Sequence, residues 1–514
     1  MKHMILKYNQ KYKLFYCVHP ADESYIPKEA GLQRSYEFKC WVTADEYIAY
    51  KLRKYADISA EMVFQKMPKD LIIVRSLAIY KGKNPFIKKF IMSSLTILNP
   101  KWIENEKMGR WNQNTDKHLI YYSVKNDHIY FPRGFISCVG SLGYEVEIQD
   151  KTYHAPQFEI EFTGKLKSYQ KKACKVLLQY NIGVLSAATG SGKTVMGLYV
   201  VFRRAIPAII IVHTKELLYQ WAERIKTFLG IDAGLVGAGK CDLNRITVAL
   251  VQTLKNKKEI LNGFSHLIVD ECHLTPSTTF IDIVKTFGGK YITGLSATPY
   301  RRDGLSKLIE WFCGPIRYEV PKEILQEEGH IANLEVKIRE TNFQSVSEGE
   351  YSQLLSEIAN DFMRNKLIIK DIRDQYSKGR VGLVLSDRKE HCKFLYDQLK
   401  LCDAALLTGD TNIKERKRIV ADVNSGKVKI LIATGQLIGE GFDCEKLSVL
   451  FLTMPVKFKG RVFQYVGRIL RPKKKNNAAI VFDYYDKNVR CLHAGFKSRI
   501  RVYNELKGEN SCLK

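Results

Sequence analysis

Between residues 165 and 319, short apolar runs alternate with amphipathic stretches. The runs at 182–187, 208–213, 246–251, 266–269 and 291–295 are apolar at consecutive positions, which predicts strands buried on both faces. Several of the intervals, at about 10 to 25 residues, are long enough for crossover helices, so the pattern predicts a doubly wound parallel sheet. It returns after residue 378, with strands expected at 381–386, 404–407, 429–433, 449–453 and 478–482 and a helix over 389–399. The fold class that follows is α/β, with two tandem parallel-sheet domains. Residues 321–353, polar and rich in Glu, read as a connector, and 357–370 as a helix entering the second domain. The first 160 residues mix aromatics, charges and short runs that read as strands, such as 118–124 and 128–131, which predicts a smaller α+β N-terminal region.

Composition narrows the partner. A formal net charge of +27, from 81 Lys+Arg against 54 Asp+Glu, points to a polyanion, with nucleic acid ahead of an anionic membrane. No apolar run approaches the roughly 20 residues of a membrane span, and charge interrupts the N-terminus before a signal-peptide core can form. The expectation is a protein without a membrane partner, in the cytoplasm if its cell is bacterial or phage-infected, and in the nucleus or a viral factory if the source is eukaryotic or viral. The 12 cysteines include no C-x-x-C pair, so they read as reduced, mostly buried thiols.

Four stretches carry chemistry. Ala187-Ala188-Thr189-Gly190-Ser191-Gly192-Lys193-Thr194 follows an expected strand and precedes an expected helix, the setting of a phosphate-binding loop. Its backbone N–H groups would hold the β-phosphate of ATP, Lys193 would reach the β- and γ-phosphates, and Thr194 would ligate Mg2+. Asp270-Glu271-Cys272-His273 ends another strand, with Asp270 expected to hold Mg2+ through its water shell and Glu271 to orient and deprotonate the attacking water. Ser296-Ala297-Thr298-Pro299 ends the next, where Ser296 and Thr298, with His273, could relay nucleotide state. Far downstream, Gln464-Tyr465-Val466-Gly467-Arg468-Ile469-Leu470-Arg471 offers Arg468 and Arg471 three residues apart, on one face if helical, as fingers for the γ-phosphate. The alternative for these two is a solvated basic patch.

Read together and in order, these motifs resemble the superfamily 2 helicases of DExH type, whose two domains are RecA-like. The resemblance implies that Gln170, in Leu166-Lys167-Ser168-Tyr169-Gln170, reads the adenine, and that Gln464, Gly441 and Asp443 join the nucleotide site. It assigns Thr214, Lys215, Gln252 and Thr253 in the first domain, and Ser386, Asp387, Thr408, Thr434 and Gln436 in the second, to nucleic acid. The stretch from Ser296 to Gly304 and the motif ending at Asp443 look most like the XPB, RecG and phage UvsW branch of DNA motors. Tyr25-Ile26-Pro27-Lys28-Glu29-Ala30-Gly31 and Phe38-Lys39-Cys40-Trp41-Val42-Thr43 resemble the HARP-like module of annealing helicases. Residues 99–134 resemble the region ahead of the motor in UvsW-like helicases.

The division expected is 1–60 for the small module, 61–160 for an accessory DNA-binding region, 161–320 for the ATP-binding domain, 321–375 for linker and connecting helix, and 376–514 for the second domain. Trp41, Trp102 and Trp111 are candidates for base stacking or for core. The implied activity is ATP-dependent unwinding or branch migration of forked or branched DNA, by a monomer, with replication or recombination proteins as further partners. An RNA helicase or transcript-release motor is the second reading. A clamp that binds ATP without turnover is the third, and Glu271 with both arginines argues against it.

Overall fold

In the computed structural model, the described residues are 4–19, 25–67, 69–188, 190–274, 278–297, 305–321, 324, 332–345, 351–439, 444, 446–456, 459–470 and 478–507. The first large sheet has eight strands, in the spatial order Lys240–Asp242, Gly234–Gly237, Ile246–Leu250, Ala208–Val212, His266–Asp270, Tyr291–Ser296, Ile182–Ser186 and Ile316–Glu319. All pairings are parallel except that between the first two. Every residue of Ala208–Val212, Ile246–Leu250 and His266–Asp270 is buried, which is why these strands read as apolar runs, broken only by Thr247 and by His266 and Asp270 at the ends of the third.

The order of the sheet decides where chemistry can sit. After Ile182–Ser186 the chain crosses to Ala208–Val212, and His266–Asp270 and Tyr291–Ser296 later fill the gap. Registers pair Ser186 with Ser296 and Asp270 with Leu295, so three motif-bearing strand ends lie side by side at the carboxyl edge. Ligands of open parallel sheets bind at that edge, where strand order reverses.

The second sheet has six parallel strands, ordered Leu334–Thr341, Ala479–Asp486, Val449–Leu452, Gly382–Ser386, Ile430–Thr434 and Ala404–Leu407. Here the connector expected from sequence changes character. Leu334–Thr341 is an edge strand of this sheet, paired along its whole length with Ala479–Asp486. Glu335, Lys337, Arg339 and Glu340 gave it the polarity of a linker, and edge strands commonly carry such charges. The expected helix at 357–370 is two helices, Tyr351–Asn360 and Phe362–Ser377. Asp361 caps the second, its carboxylate accepting from the Arg364 N–H at 2.7 Å.

Ahead of the two lobes, a four-stranded antiparallel sheet is ordered Ile5–Asn9, Leu14–Val18, Cys40–Thr43, Gln33–Ser35. Its helix Ile58–Phe64 packs into the same core, carrying this module past residue 60. A five-stranded sheet follows, ordered Val146–Asp150, Asp70–Val74, Ala78–Tyr80, His128–Phe131, Ser123–Lys125. The single strand expected at 118–124 is two: His118–Ile120 pairs with Thr96–Leu98, and Ser123–Lys125 with His128–Phe131. No described helix is long and apolar enough to cross a membrane.

The five-stranded module shares a core with the first lobe. Phe131 and Phe135 cluster with Leu308, Trp311 and Phe312. Arg133 is buried against that lobe, donating to the carbonyls of Gly289 at 2.8 Å and Phe287 at 3.5 Å, and burial lowers its pKa to about 10. Gly134 passes so close to the backbone carbonyls of Glu310 and Trp311 that a Cβ would overlap both. Gly134→Ala should therefore weaken docking by about 1–3 kcal/mol. Thermal denaturation should show an early transition, and limited proteolysis should attack the N-terminal region faster than in the parent chain.

Candidate active site

The loop from Ala187 to Gly192 joins the buried strand Ile182–Ser186 to the helix Lys193–Arg204. Gly190 and Gly192 have φ of +87° and +84°, in the left-handed region that favours glycine. No side chain caps the N-terminus of the helix, so its first-turn N–H groups face the loop with the positive end of the helix dipole. Ser191 is buried, and among the described residues its hydroxyl has no partner. The Lys193 ammonium donates to the Ala187 carbonyl at 3.2 Å, curled over the loop, and Thr194 is half-buried in the first turn. A concave run of N–H groups, an unpartnered hydroxyl and a lysine fit a phosphate chain. Ala188 is half-buried and Gly190 exposed, whereas Thr189 lies outside the described residues.

The helix Ser168–Leu178 is latched to this loop. Tyr169 Oη and Gln170 Nε2 both donate to the Ser191 carbonyl at 2.9 Å, and Gln170 Oε1 accepts from the Lys167 N–H at 2.9 Å. The residue expected to read a base is thus buried beside the phosphate loop, with its amide engaged by backbone on both sides.

Across the strand ends, Asp270 is buried with both oxygens engaged. Oδ2 accepts from Trp221 Nε1 at 2.8 Å and Oδ1 from the Glu271 N–H at 3.0 Å. Burial and the neighbouring Glu271 charge raise its pKa, against the pull of Trp221 and Lys193. Glu271 has φ of +49°, a conformation costing a non-glycine residue about 1–3 kcal/mol, held here by its surroundings. Burial opposes its charge, but Lys193, His273 and Arg468 outweigh that and lower its pKa. His273 Nδ1 is 3.3 Å from Glu271 Oε2 and 3.1 Å from the hydroxyl of buried Ser296, which connects the two strand ends. Beside it, burial and the His273 charge lower the pKa of His213 to about 4.

The second lobe contributes the helix Lys459–Ile469, which carries Gln464 and, one turn on, Arg468. Arg468 is a residue of this lobe whose charge acts on Glu271. The helix ends at Ile469, and Arg471 lies outside the described residues, as do Thr298, Gly441 and Asp443. Arg416 spans the lobes, 3.4 Å from Glu216 of the first while donating to the Leu437 carbonyl of its own at 3.1 Å.

The residues assigned by resemblance to nucleic acid follow carboxyl ends of other strands. Lys215 and Gln252 are exposed and Thr253 is half-buried; Thr214 caps the helix Lys215–Leu229, accepting from the Leu217 N–H at 3.3 Å. In the second lobe Asp387 is exposed, with Arg461 at 3.9 Å, while Thr408 and Thr434 are half-buried. The side chain of Gln436 lies outside the described residues. Ser386 is 1% exposed, and its hydroxyl accepts from the Arg388 N–H at 3.2 Å and is 3.1 Å from His391 Nδ1. As the last residue of a fully buried strand it faces the helix Lys389–Leu399, so its hydroxyl serves the fold.

Trp221 escaped the motif reading. Its signal was the spacing of Leu218, Trp221 and Ile225 on one helix face, since a buried indole N–H needs an acceptor.

Residues 163–301 match the family of type III restriction enzyme res subunits, and residues 363–473 match the helicase conserved C-terminal domain. The chain is 27% identical over 375 residues to the DNA 3'-5' translocase XPB2 of Sulfurisphaera tokodaii, covering 65% of this chain and 85% of that protein. It is 26% identical over 442 residues to a protein of Acanthamoeba polyphaga mimivirus named as an ATP-dependent RNA helicase, covering 82% of each. It is 25% identical over 342 residues to the ATP-dependent DNA helicase uvsW of Enterobacteria phage T4, covering 62% of this chain and 68% of that one.

Trp221→Phe keeps the ring in place but removes the donor to Asp270. A hydrogen bond to a charged group contributes about 1.5–3 kcal/mol. Nucleotide turnover should fall about tenfold or more with the fold unchanged, as read by steady-state hydrolysis alongside circular dichroism.

Proposed function

We propose, on the footing that this chain belongs to the superfamily 2 helicases on the branch of XPB and phage UvsW and is an ATP-dependent helicase, that it is a DNA motor that unwinds or branch-migrates forked or branched DNA. The observation that carries the motor reading is Glu271, a carboxylate of the first lobe under the charge of Lys193 and beside His273 from its own lobe, and under the charge of Arg468 from the second. A nucleotide between those groups joins the lobes when bound and frees them when hydrolysed.

The N–H groups from Gly190 to Thr194 would hold the phosphates of ATP, and Lys193 would reach its β- and γ-oxygens. Thr194 and Asp270 are the residues that fit Mg2+, which supplies charge neutralisation on the phosphates when bound. Glu271 is ionised and takes the proton of the attacking water at its carboxylate. Arg468 opposes the charge that develops on the transferred phosphoryl group. His273, bonded to Ser296, conveys the change at Glu271 to the adjoining strand end.

The two sheets present Lys215, Gln252, Thr253, Asp387, Thr408 and Thr434 at carboxyl strand ends, where DNA is contacted chiefly at its backbone. Such contact carries little sequence information and depends steeply on salt. The choice of DNA rests on the names of the XPB and UvsW relatives. The mimivirus relative's name favours a second reading, an RNA helicase on the same fold.

Steady-state hydrolysis without nucleic acid, and with single-stranded DNA, linear duplex, a fork, a four-way junction and matched RNAs, separates the readings. Greatest stimulation by branched DNA is the expected result, and greatest stimulation by RNA selects the second reading. Lys193→Ala should abolish turnover and leave DNA binding within about twofold. Between about 50 and 200 mM salt, DNA affinity should fall by at least about a hundredfold if several phosphates are engaged; an affinity flat across that range would remove backbone contact as the binding mode.

A further inference from the structure

We infer that the open face of the N-terminal four-stranded sheet is a base-stacking site for single-stranded DNA, separate from the ATP site. The inference rests on the DNA-motor reading for its ligand and on the following geometry for its place. One face of this sheet is covered by helices, with Leu6, Phe15 and Cys17 packed on Ala49, Leu52 and Phe64. The alternate positions face the other way: Lys7 stands opposite Tyr16, and Tyr16 opposite Val42. A solvated sheet face is ordinarily polar. This one carries Leu14, Tyr16, Val18 and Val42, with Val18 45% exposed.

Two turns close over that face. Tyr12, from the hairpin between Ile5–Asn9 and Leu14–Val18, meets Phe38, from the turn between Gln33–Ser35 and Cys40–Thr43, with ring centres 5.2 Å apart and planes at 67°. Beneath them is a hollow of about 220 Å³, lined by Asn9, Tyr12, Leu14, Tyr16, Phe38 and Val42. That is below the roughly 300–1,000 Å³ of pockets for drug-sized ligands and suits a single ring system.

Each turn is built rather than loose. Asn9 Oδ1 accepts from the N–H groups of Lys11 and Tyr12 at 3.1 and 3.3 Å, and Ser35 Oγ from the Phe38 N–H at 3.2 Å. Lys13 and Lys39, one in each turn, both have φ of +51°, a left-handed conformation that non-glycine residues hold at a cost and that clusters at ligand clamps. The rings nevertheless stay open to solvent, with Tyr12 49% and Phe38 36% exposed.

The charge fits the phosphodiester chain. Lys11 Nζ lies 5.4 Å from the Tyr12 ring centre, and Lys11, Lys13 and Lys39 are exposed on the two turns, against the single acid Glu37. Aromatic rings beside cations on an open sheet bind unpaired nucleic acid, because every base has a face to stack and every link a charge. Paired bases inside a duplex present only their edges in the grooves, so the occupant is single-stranded. An unpaired base stacks on Tyr12 and Phe38 above the hollow, while the flanking phosphates meet the lysines.

The test compares the full chain with its Tyr12→Ala/Phe38→Ala variant in binding an oligothymidylate and an abasic strand of equal length, both labelled, by fluorescence anisotropy without nucleotide. The parent should bind the base-bearing strand more tightly. The variant should lose about tenfold or more of that preference and keep its affinity for the abasic strand and its hydrolysis rate without DNA. Tyr12→Phe with Phe38→Tyr should retain the preference, which separates loss of stacking from loss of the turn. A parent with no base-dependent preference, or one that survives in the double alanine variant, overturns the site. Neither result touches the motor reading, which fails separately if no DNA stimulates hydrolysis.

Discussion

Two adjacent carboxylates close one buried strand, and the arrangement of both lobes can be read from how that charge is held. Asp270 and Glu271 share a site of low polarity, where the ionisation of one opposes that of the other. The structure divides them. Asp270, more deeply withdrawn and bonded to the Trp221 indole, bears the raised pKa, while Glu271 is kept charged by the cations around it. Lys193 and the hydrogen-bonding His273 are fixed within the first lobe, whereas Arg468 arrives on a helix of the second. Parting the lobes takes a cation away from Glu271. The charge balance of the water-activating group in the proposed motor is thereby coupled to the distance between two domains.

That coupling depends on where the sheet places its strand ends. Inserting His266–Asp270 and Tyr291–Ser296 between Ala208–Val212 and Ile182–Ser186 puts the phosphate loop, the carboxylate pair and Ser296 on neighbouring strands. His273 can then touch Glu271 and Ser296 together. A meandering strand order would separate these groups by whole strands, whatever their spacing in sequence.

The parts legible in sequence are those dictated by local pattern. Strands buried on both faces are largely apolar, and Ala208–Val212, apolar at all five positions, and Ile246–Leu250, apolar but for Thr247, stood out for that reason. Gly190 and Gly192 announced a loop because their left-handed backbone excludes most other residues. What escaped depends on partners distant in the chain. Leu334–Thr341 looks like a polar linker until Ala479–Asp486 pairs with it, more than a hundred residues later. The burial of Ser386 beside His391 depends on the packing of a helix on its strand, and the role of Trp221 requires an aspartate on another element. Motif spacing carries none of this information, because each case is a tertiary contact between residues that are individually unremarkable.

The N-terminal modules bear on which parts of the protein can move. The five-stranded module is continuous with the first lobe through a shared apolar core, through Gly134 against the Glu310 and Trp311 backbone, and through Arg133. Arg133 gives up hydration on burial and meets carbonyl oxygens there rather than a carboxylate, which is tolerable only where those carbonyls are rigidly placed. Beyond it, Arg53 reaches Glu145 at 2.5 Å and Tyr50 stacks on Tyr144 with centres 5.8 Å apart, tying the four-stranded module to the five-stranded one. The described contacts therefore join both N-terminal modules to the first lobe. The lobes also meet, through a cluster of buried apolar residues that includes Leu185 and Val320 on one side and Ala332 and Leu470 on the other, and through the partly exposed Arg416–Glu216 pair, of a kind that typically contributes about 0–1 kcal/mol. A nucleotide that opens and closes the cleft would then move the second lobe against a body made of everything before it, carrying the aromatic face of the first sheet as a fixed point on the strand.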